Sequence, residues 1–127
     1  MKTLTVVMFT LACVSVCGAQ QNQKKIALTP NSTASSGDVL SELNKKFCSG
    51  VILTGNANAA DYMLELGHKK TGLSLCSGSA NCPETEYSAT LFSLTGDVLF
   101  QTKSHVYSVV TLPSAMRGVC KAIGQQK

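Results

Sequence analysis

Six cysteines and two histidines are the residues of this sequence that could hold a metal, exchange disulfides or act as catalytic bases. Two of the cysteines, Cys76 and Cys82, enclose the five residues "SGSAN" and are followed by Pro83. This spacing allows three kinds of chemistry: a structural zinc site, a redox-active cysteine pair, or a loop closed by a disulfide. Which of them applies depends on how many cysteines the mature protein keeps.

The first residues, MKTLTVVMFTLACVSVCGAQ, have the pattern of a signal peptide. Lys2 supplies a positive charge, residues 4–16 are nearly all apolar, and the small residues Cys17 and Ala19 predict cleavage after Ala19. The apolar segment is too short to span a bilayer core of about 30 Å. A lipid anchor would need a Leu-small-small-Cys box, which "TLAC" and "VSVC" match imperfectly. We therefore predict a leader at residues 1–19 and a secreted or periplasmic protein without a membrane span.

Removal of this leader also removes two cysteines and leaves four: Cys48, Cys76, Cys82 and Cys120. An even number of cysteines in an exported chain predicts two disulfides, for which three pairings exist. We favour Cys48 with Cys120, because Cys48 ends the first predicted helix, Cys120 lies on the apolar face of the last, and both helices are predicted to pack on the same sheet face. Cys76 then pairs with Cys82. The long loop would stabilise the domain by about 4 kcal/mol and the short loop by about 2 kcal/mol.

Metal and redox chemistry fit the cysteine spacing less well. Zinc could take Cys76, Cys82, His68 and His105 as ligands, but a spacer of five residues is longer than the usual two to four. A redox pair would have two residues between its cysteines. We predict no metal and no cofactor, and regard the loop residues as a candidate recognition surface, since a disulfide lowers the entropy cost of binding. These loop residues are Ser77, Gly78, Ser79, Ala80 and Asn81.

No catalytic motif is present in the sequence. His68 lies in "GHKK" and His105 in "KSHVY", and neither belongs to a recognisable catalytic arrangement. There is no Gly-x-Ser-x-Gly nucleophile motif, Gly-rich phosphate loop or metalloprotease helix. We predict a non-enzymatic binding or assembly domain. The alternatives are a small secreted hydrolase that uses His68 or His105 with a nearby acid, and a secreted effector or inhibitor that presents the Cys76–Cys82 loop.

Length and charge narrow the function classes further. Cleavage after residue 19 leaves 108 of the 127 residues, which is enough for one domain at residues 20–127. The sequence contains eleven Lys and Arg residues and seven Asp and Glu residues, which is a small excess of positive charge. The basic residues occur largely as pairs, without a block of five or six like charges or interleaved aromatics, so nucleic-acid binding is not expected.

Hydrophobic periodicity predicts two helices and five strands. In the first helix, Val39, Leu40, Leu43 and Phe47 share one face, and Glu42 lies on the solvated face. The last helix has an apolar stripe that includes Cys120. This order predicts an α+β fold with a mainly antiparallel sheet of four to five strands and both helices on one face. The predicted strands are residues 25–29, 51–54, 62–66, 86–94 and 98–104, and the predicted helices are residues 38–47 and 113–123.

Two segments carry a resemblance to known proteins: "ADYMLEL" at residues 60–66 and "ATLFSLTGDVLFQTKS" at residues 89–104, followed by a helix with Cys120. With these, the chain resembles small secreted bacterial proteins of uncharacterised function over residues 25–124. It is also distantly similar to domains of periplasmic lipoproteins and to the N-terminal domain of TolB. The resemblance implies an α/β domain that binds another envelope or extracellular protein and carries over no catalytic residue. The first or the fifth strand could supply an open edge for such a partner.

Overall fold

The computed structural model describes residues 23–70, 85–103 and 108–126. These residues form five strands and two helices, with short 3-10 helices at Lys46–Cys48 and Ala57–Ala59. The elements in chain order are β1 (Lys24–Leu28), α1 (Ser36–Leu43), β2 (Val51–Leu53), β3 (Tyr62–Lys70), β4 (Thr85–Ser93), β5 (Val98–Gln101) and α2 (Leu112–Gln125).

The five strands form one sheet in the order β2-β1-β3-β4-β5. β1 is parallel to both β2 and β3, whereas β3, β4 and β5 are antiparallel. The predicted α+β fold is thus confirmed, and the sheet is mixed rather than purely antiparallel. The parallel half arises because α1 returns the chain to the start of the sheet before β2, as a crossover between parallel strands requires. Side-chain periodicity does not encode strand direction.

Both helices share one apolar core with the sheet, which confirms that they pack on the same face. Ile26, Leu64 and Leu91 point into this core from adjacent strands and have no exposed surface. α2 comes so close to β5 that a Cβ on Gly118 would overlap the Phe100 ring. A glycine is therefore needed at this contact for steric reasons.

α1 is shorter than its apolar spacing predicts, because it ends at Leu43 rather than at Phe47. Its first turn is capped by Ser35, whose Oγ accepts a hydrogen bond of 3.2 Å from Asp38 N. After α1, Lys45 is extended, and the Lys46–Cys48 3-10 helix turns the chain toward α2. There the Arg117 guanidinium lies 5.2 Å from the centroid of the Phe47 ring. This turn delivers Cys48 to α2.

Cys48 and Cys120 are joined by a disulfide, as the sequence predicts. Their Cα atoms are 5.2 Å apart, and the bond links residues separated by 72 positions. Both cysteines are buried, so the bond ties the end of the α1 region to the middle of α2 inside the core.

Beyond the end of β1, hydroxyl groups satisfy the backbone of β3. Ser32 Oγ accepts a hydrogen bond of 3.1 Å from Leu66 N and donates one of 3.2 Å to Leu64 O. Thr33 Oγ1 accepts a bond of 2.9 Å from His68 N. The loop after β1 therefore takes the place of further strand pairing along this part of β3.

The two outer edges of the sheet are poorly suited to strand addition. β1 is central, so the idea that the first strand offers an open edge is wrong. β2 has only three residues. β5 is irregular, because Leu91 pairs with Phe100 whereas Phe92 pairs with Val98, which leaves Leu99 as an additional residue. Short strands and bulges are both known to limit edge pairing.

Candidate functional site

The sheet face opposite the helices carries an apolar row across four adjacent strands. The register places Ala27 beside Met63, Met63 beside Phe92, and Phe92 beside Val98. Successive side chains of a strand point to opposite faces, so these residues face away from the core that Leu64 and Leu91 occupy. Among the described residues, neither helix packs on this side. We call these four residues the helix-free row.

The helix-free row is most exposed at its β5 end. Val98 is 57% exposed, and Leu94, in the turn between β4 and β5, is 63% exposed. Met63 and Phe92 are half-buried, and Ala27 is buried at the other end of the row. Exposed apolar side chains that occur singly need no explanation, but a continuous group of them is typical of a protein-binding surface.

Polar residues border the row on the same face. The next positions along the strands place Glu65 beside Thr90 and Thr90 beside Gln101. Further along, Lys69 Nζ lies 3.3 Å from Glu86 Oε2. An apolar strip with a polar margin has the general layout of a protein interface, in which apolar contacts lie centrally and polar residues form the rim.

His68 lies in a separate cleft of about 260 Å³, together with Tyr87 and Glu86. The ring centroids of His68 and Tyr87 are 6.2 Å apart. Within the described residues, no carboxylate is hydrogen-bonded to the His68 ring. The register explains this, because His68 pairs with Tyr87 while Glu86 pairs with Lys69, so the imidazole and the Glu86 carboxylate point to opposite faces. The geometry gives His68 no general-base arrangement.

A buried acidic residue on α1 contradicts one sequence prediction. Glu42 was expected on the solvated side of the helix, yet it is only 5% exposed. Lys45 Nζ lies 2.8 Å from both carboxylate oxygens, and its hydrogen bond is directed at Oε1. Oε2 has no hydrogen bond within the described residues and is stabilised by the nearby ammonium charge alone. Glu42 follows Val39 by three residues, which places both on the same side of the helix.

Lys45→Met should lower the free energy of unfolding by about 1–2 kcal/mol, because it leaves the Glu42 carboxylate buried without its partner. A fully buried pair loses about 3–5 kcal/mol when one partner is removed, and Lys45 is itself half-exposed, which reduces the cost. Urea denaturation measures the change. The Glu42→Met/Lys45→Met double variant is the control and should recover most of the lost stability. An unchanged midpoint in Lys45→Met alone would show that this ion pair does not stabilise the fold.

Several predicted site residues lie outside the part of the chain that the structure describes. These are the leader at residues 1–19, Cys76, Cys82, the loop residues Ser77, Gly78, Ser79, Ala80 and Asn81, and His105. The second disulfide and the recognition loop therefore stay predictions. Lys70 pairs with Thr85, so residues 71–84 connect the paired ends of two nine-residue antiparallel strands. The predicted third strand ended four residues earlier, at Leu66.

The described residues contain neither a candidate metal site nor a candidate membrane-spanning helix. No group of three or more His, Cys, Asp or Glu side chains there could hold a metal ion. No helix in the described ranges has the length and apolar character needed to cross a membrane.

The helix-free row was missed at the sequence level, although the sequence contains a signal for it. Leu91 and Phe92 are adjacent apolar residues in one strand, and so are Val98, Leu99 and Phe100. Consecutive apolar residues in a strand indicate that both of its faces are apolar. The prediction used only the alternation that covers one face.

Comparison with known proteins adds no relative. No protein-family model, curated protein or solved structure matches this chain. What can be said of its class therefore comes from its own geometry: an α+β domain with an internal disulfide and a mixed sheet whose second face is apolar at one end.

Proposed function

We propose that this protein is an exported, non-enzymatic binding or assembly domain that recognises another envelope or extracellular protein. The observation that carries the proposal is the helix-free row, with Leu94 and Val98 exposed at its β5 end. A partner that covered this row would remove apolar surface from water, which is the main favourable term in protein association. Polar residues beside the row would contribute orientation rather than most of the affinity.

Export to the periplasm or the exterior is supported by the sequence of residues 1–19 and by the Cys48–Cys120 disulfide, since disulfides persist mainly in oxidising compartments. The motifs "ADYMLEL" and "ATLFSLTGDVLFQTKS" support the same class, through their resemblance to small secreted bacterial proteins and to periplasmic lipoprotein and TolB-type domains. In this proposal, strand addition at a sheet edge is not the binding mode. The partner packs on the sheet face instead.

Val98→Asp should weaken partner binding by about tenfold or more, because it places a charge in the most exposed part of the apolar contact, where desolvating that charge is costly. A photo-crosslinking residue at Leu94 would first capture the partner from a native extract, and the purified partner would then be titrated against each variant. Gln101→Asp is the matched control. It adds the same charge to the same strand on the polar margin, and it should change the affinity by less than about threefold.

Two results distinguish binding through the helix-free row from the effector or inhibitor hypothesis. Equal binding by the wild type and Val98→Asp, with both folded, would overturn the helix-free row as the contact surface. A crosslinker at Ser79 tests the effector or inhibitor hypothesis, which is favoured by the position of residues 71–84 at the end of the long β3–β4 pair. A defined partner captured from Ser79 and not from Leu94 would favour that hypothesis.

A further inference from the structure

A second surface with the properties of a ligand site lies at the carboxyl ends of β1 and β2. These adjacent parallel strands lead into connections that leave the sheet on opposite sides. The chain after β1 enters α1, whose Val39 and Leu43 belong to the core shared by both helices. The chain after β2 enters the Ala57–Ala59 3-10 helix on the way to β3.

The position of this second connection follows from the burial of Ala27. Ala27 is 3% exposed but lies outside the core cluster, so it is covered from the face opposite the helices. The 3-10 helix contacts β1, and Asp61 N donates a hydrogen bond of 2.7 Å to Lys25 O on that strand. The connection from β2 to β3 therefore crosses β1 on the helix-free side.

The two connections bring α1 and the 3-10 helix to the carboxyl ends of β1 and β2. A cleft of about 410 Å³ occupies this place. Its volume falls within the range of small-molecule sites, about 300–1,000 Å³. We refer to it as the β1–β2 cleft.

The lining of the β1–β2 cleft determines which ligands fit. Apolar side chains come from both strand ends, from α1 and from the 3-10 helix, and hydroxyls come from two positions, with no charged residue among them. Thr54 Oγ1 accepts a hydrogen bond of 3.1 Å from Asn56 N and, as a hydroxyl, has a proton to donate as well. The side chains used in this argument are Leu28, Leu40, Leu53, Ala57, Ser36 and Thr54.

We propose that the β1–β2 cleft binds a small uncharged molecule with an apolar body and one hydrogen-bonding group, which Ser36 or Thr54 would contact. A charged ligand would lose its hydration in this cleft without gaining a countercharge, so charged analogues are excluded. Leu40, which is 47% exposed on α1, would be covered by the ligand. This proposal does not depend on the protein partner, because it concerns the isolated domain and a cleft that shares only the buried Ala27 with the helix-free row.

Cyclohexanol is a suitable probe, since it combines an apolar ring with one hydroxyl. Titrated into the purified domain, it should shift the amide resonances of Leu53, Thr54, Ala57 and Leu40 saturably in two-dimensional NMR spectra. Hexanoate and hexylammonium should produce no saturable shift at these residues.

Ala57→Leu should weaken cyclohexanol binding by about tenfold or more, because the larger side chain would occupy part of the cleft. Ala59→Leu is the matched control, since it makes the same change in the same 3-10 helix at an exposed residue that does not line the cleft, and it should leave binding unchanged. Three results would each overturn the proposal: no saturable shift with cyclohexanol, equal binding of the charged probes, or equal binding by Ala57→Leu. None of them bears on Val98 or on the protein partner.

Discussion

Replacing Cys48 and Cys120 together by alanine should lower the free energy of unfolding by about 4 kcal/mol. The bond connects residues 72 positions apart, and a cross-link over a loop of this length removes a large share of the conformational entropy of the unfolded chain. A loss of this size is a substantial fraction of the total stability of a small domain, about 5–15 kcal/mol. Urea denaturation of the oxidised wild type and the double variant measures it.

The Cys76→Ala/Cys82→Ala double variant is the matched control for this experiment. The sequence predicts a short closed loop there, so the loss should be about 2 kcal/mol or less. Thiol titration of the unfolded exported chain, which we expect to begin at Gln20, should find no free thiol. Four free thiols would contradict both pairings and would bring metal binding by the cysteines back into consideration.

Leu64→Ala should be the most destabilising single substitution on β3 and should lower the free energy of unfolding by about 3 kcal/mol. Leu64 has no exposed surface and lies on a strand paired with β1 on one side and β4 on the other, so the surrounding core cannot easily close around the cavity. Urea unfolding measures this loss as a lower midpoint, while the dependence of the free energy on urea concentration should stay unchanged.

Met63→Ala tests the assignment of the two sheet faces from the neighbouring position. Met63 is half-buried on the helix-free row. Its replacement by alanine should lower the free energy of unfolding by about 1 kcal/mol or less, because little apolar area is lost. The same variant should bind the partner more weakly while it stays folded. Similar losses of stability at Leu64 and Met63 would contradict the division into a core face and a helix-free face.

The elements were largely predictable because their local signals agree with one another. Thr111 precedes an apolar stripe and caps α2, where its Oγ1 accepts a hydrogen bond of 3.4 Å from Ser114 N. Gly96 lies between the predicted strands 86–94 and 98–104 and adopts φ 92°, which glycine tolerates without steric cost. The Cys48–Cys120 pair was predictable once both helices were expected on one face.

The features that the sequence did not predict depend on contacts between distant residues. The parallel direction of β1 and β3 arises from the pairing of Ile26 with Tyr62, which no local pattern records. β3 continues to Lys70 because β4 is there to pair with it. The β1–β2 cleft is formed by the ends of two strands, by α1 and by the Ala57–Ala59 3-10 helix, so none of its residues stands out in the sequence.

The long disulfide has a consequence for how an exported chain would mature. Cys48 would enter the oxidising compartment first, Cys76 and Cys82 would follow, and Cys120 would arrive last. Oxidation in order of arrival would join Cys48 to Cys76 and leave Cys82 for Cys120, which is not the pairing of the folded protein. Correct maturation then requires thiol–disulfide exchange, by attack of a free thiolate on the misplaced bond. The yield of native protein should therefore depend on the disulfide isomerase activity of the compartment as well as on its oxidising power.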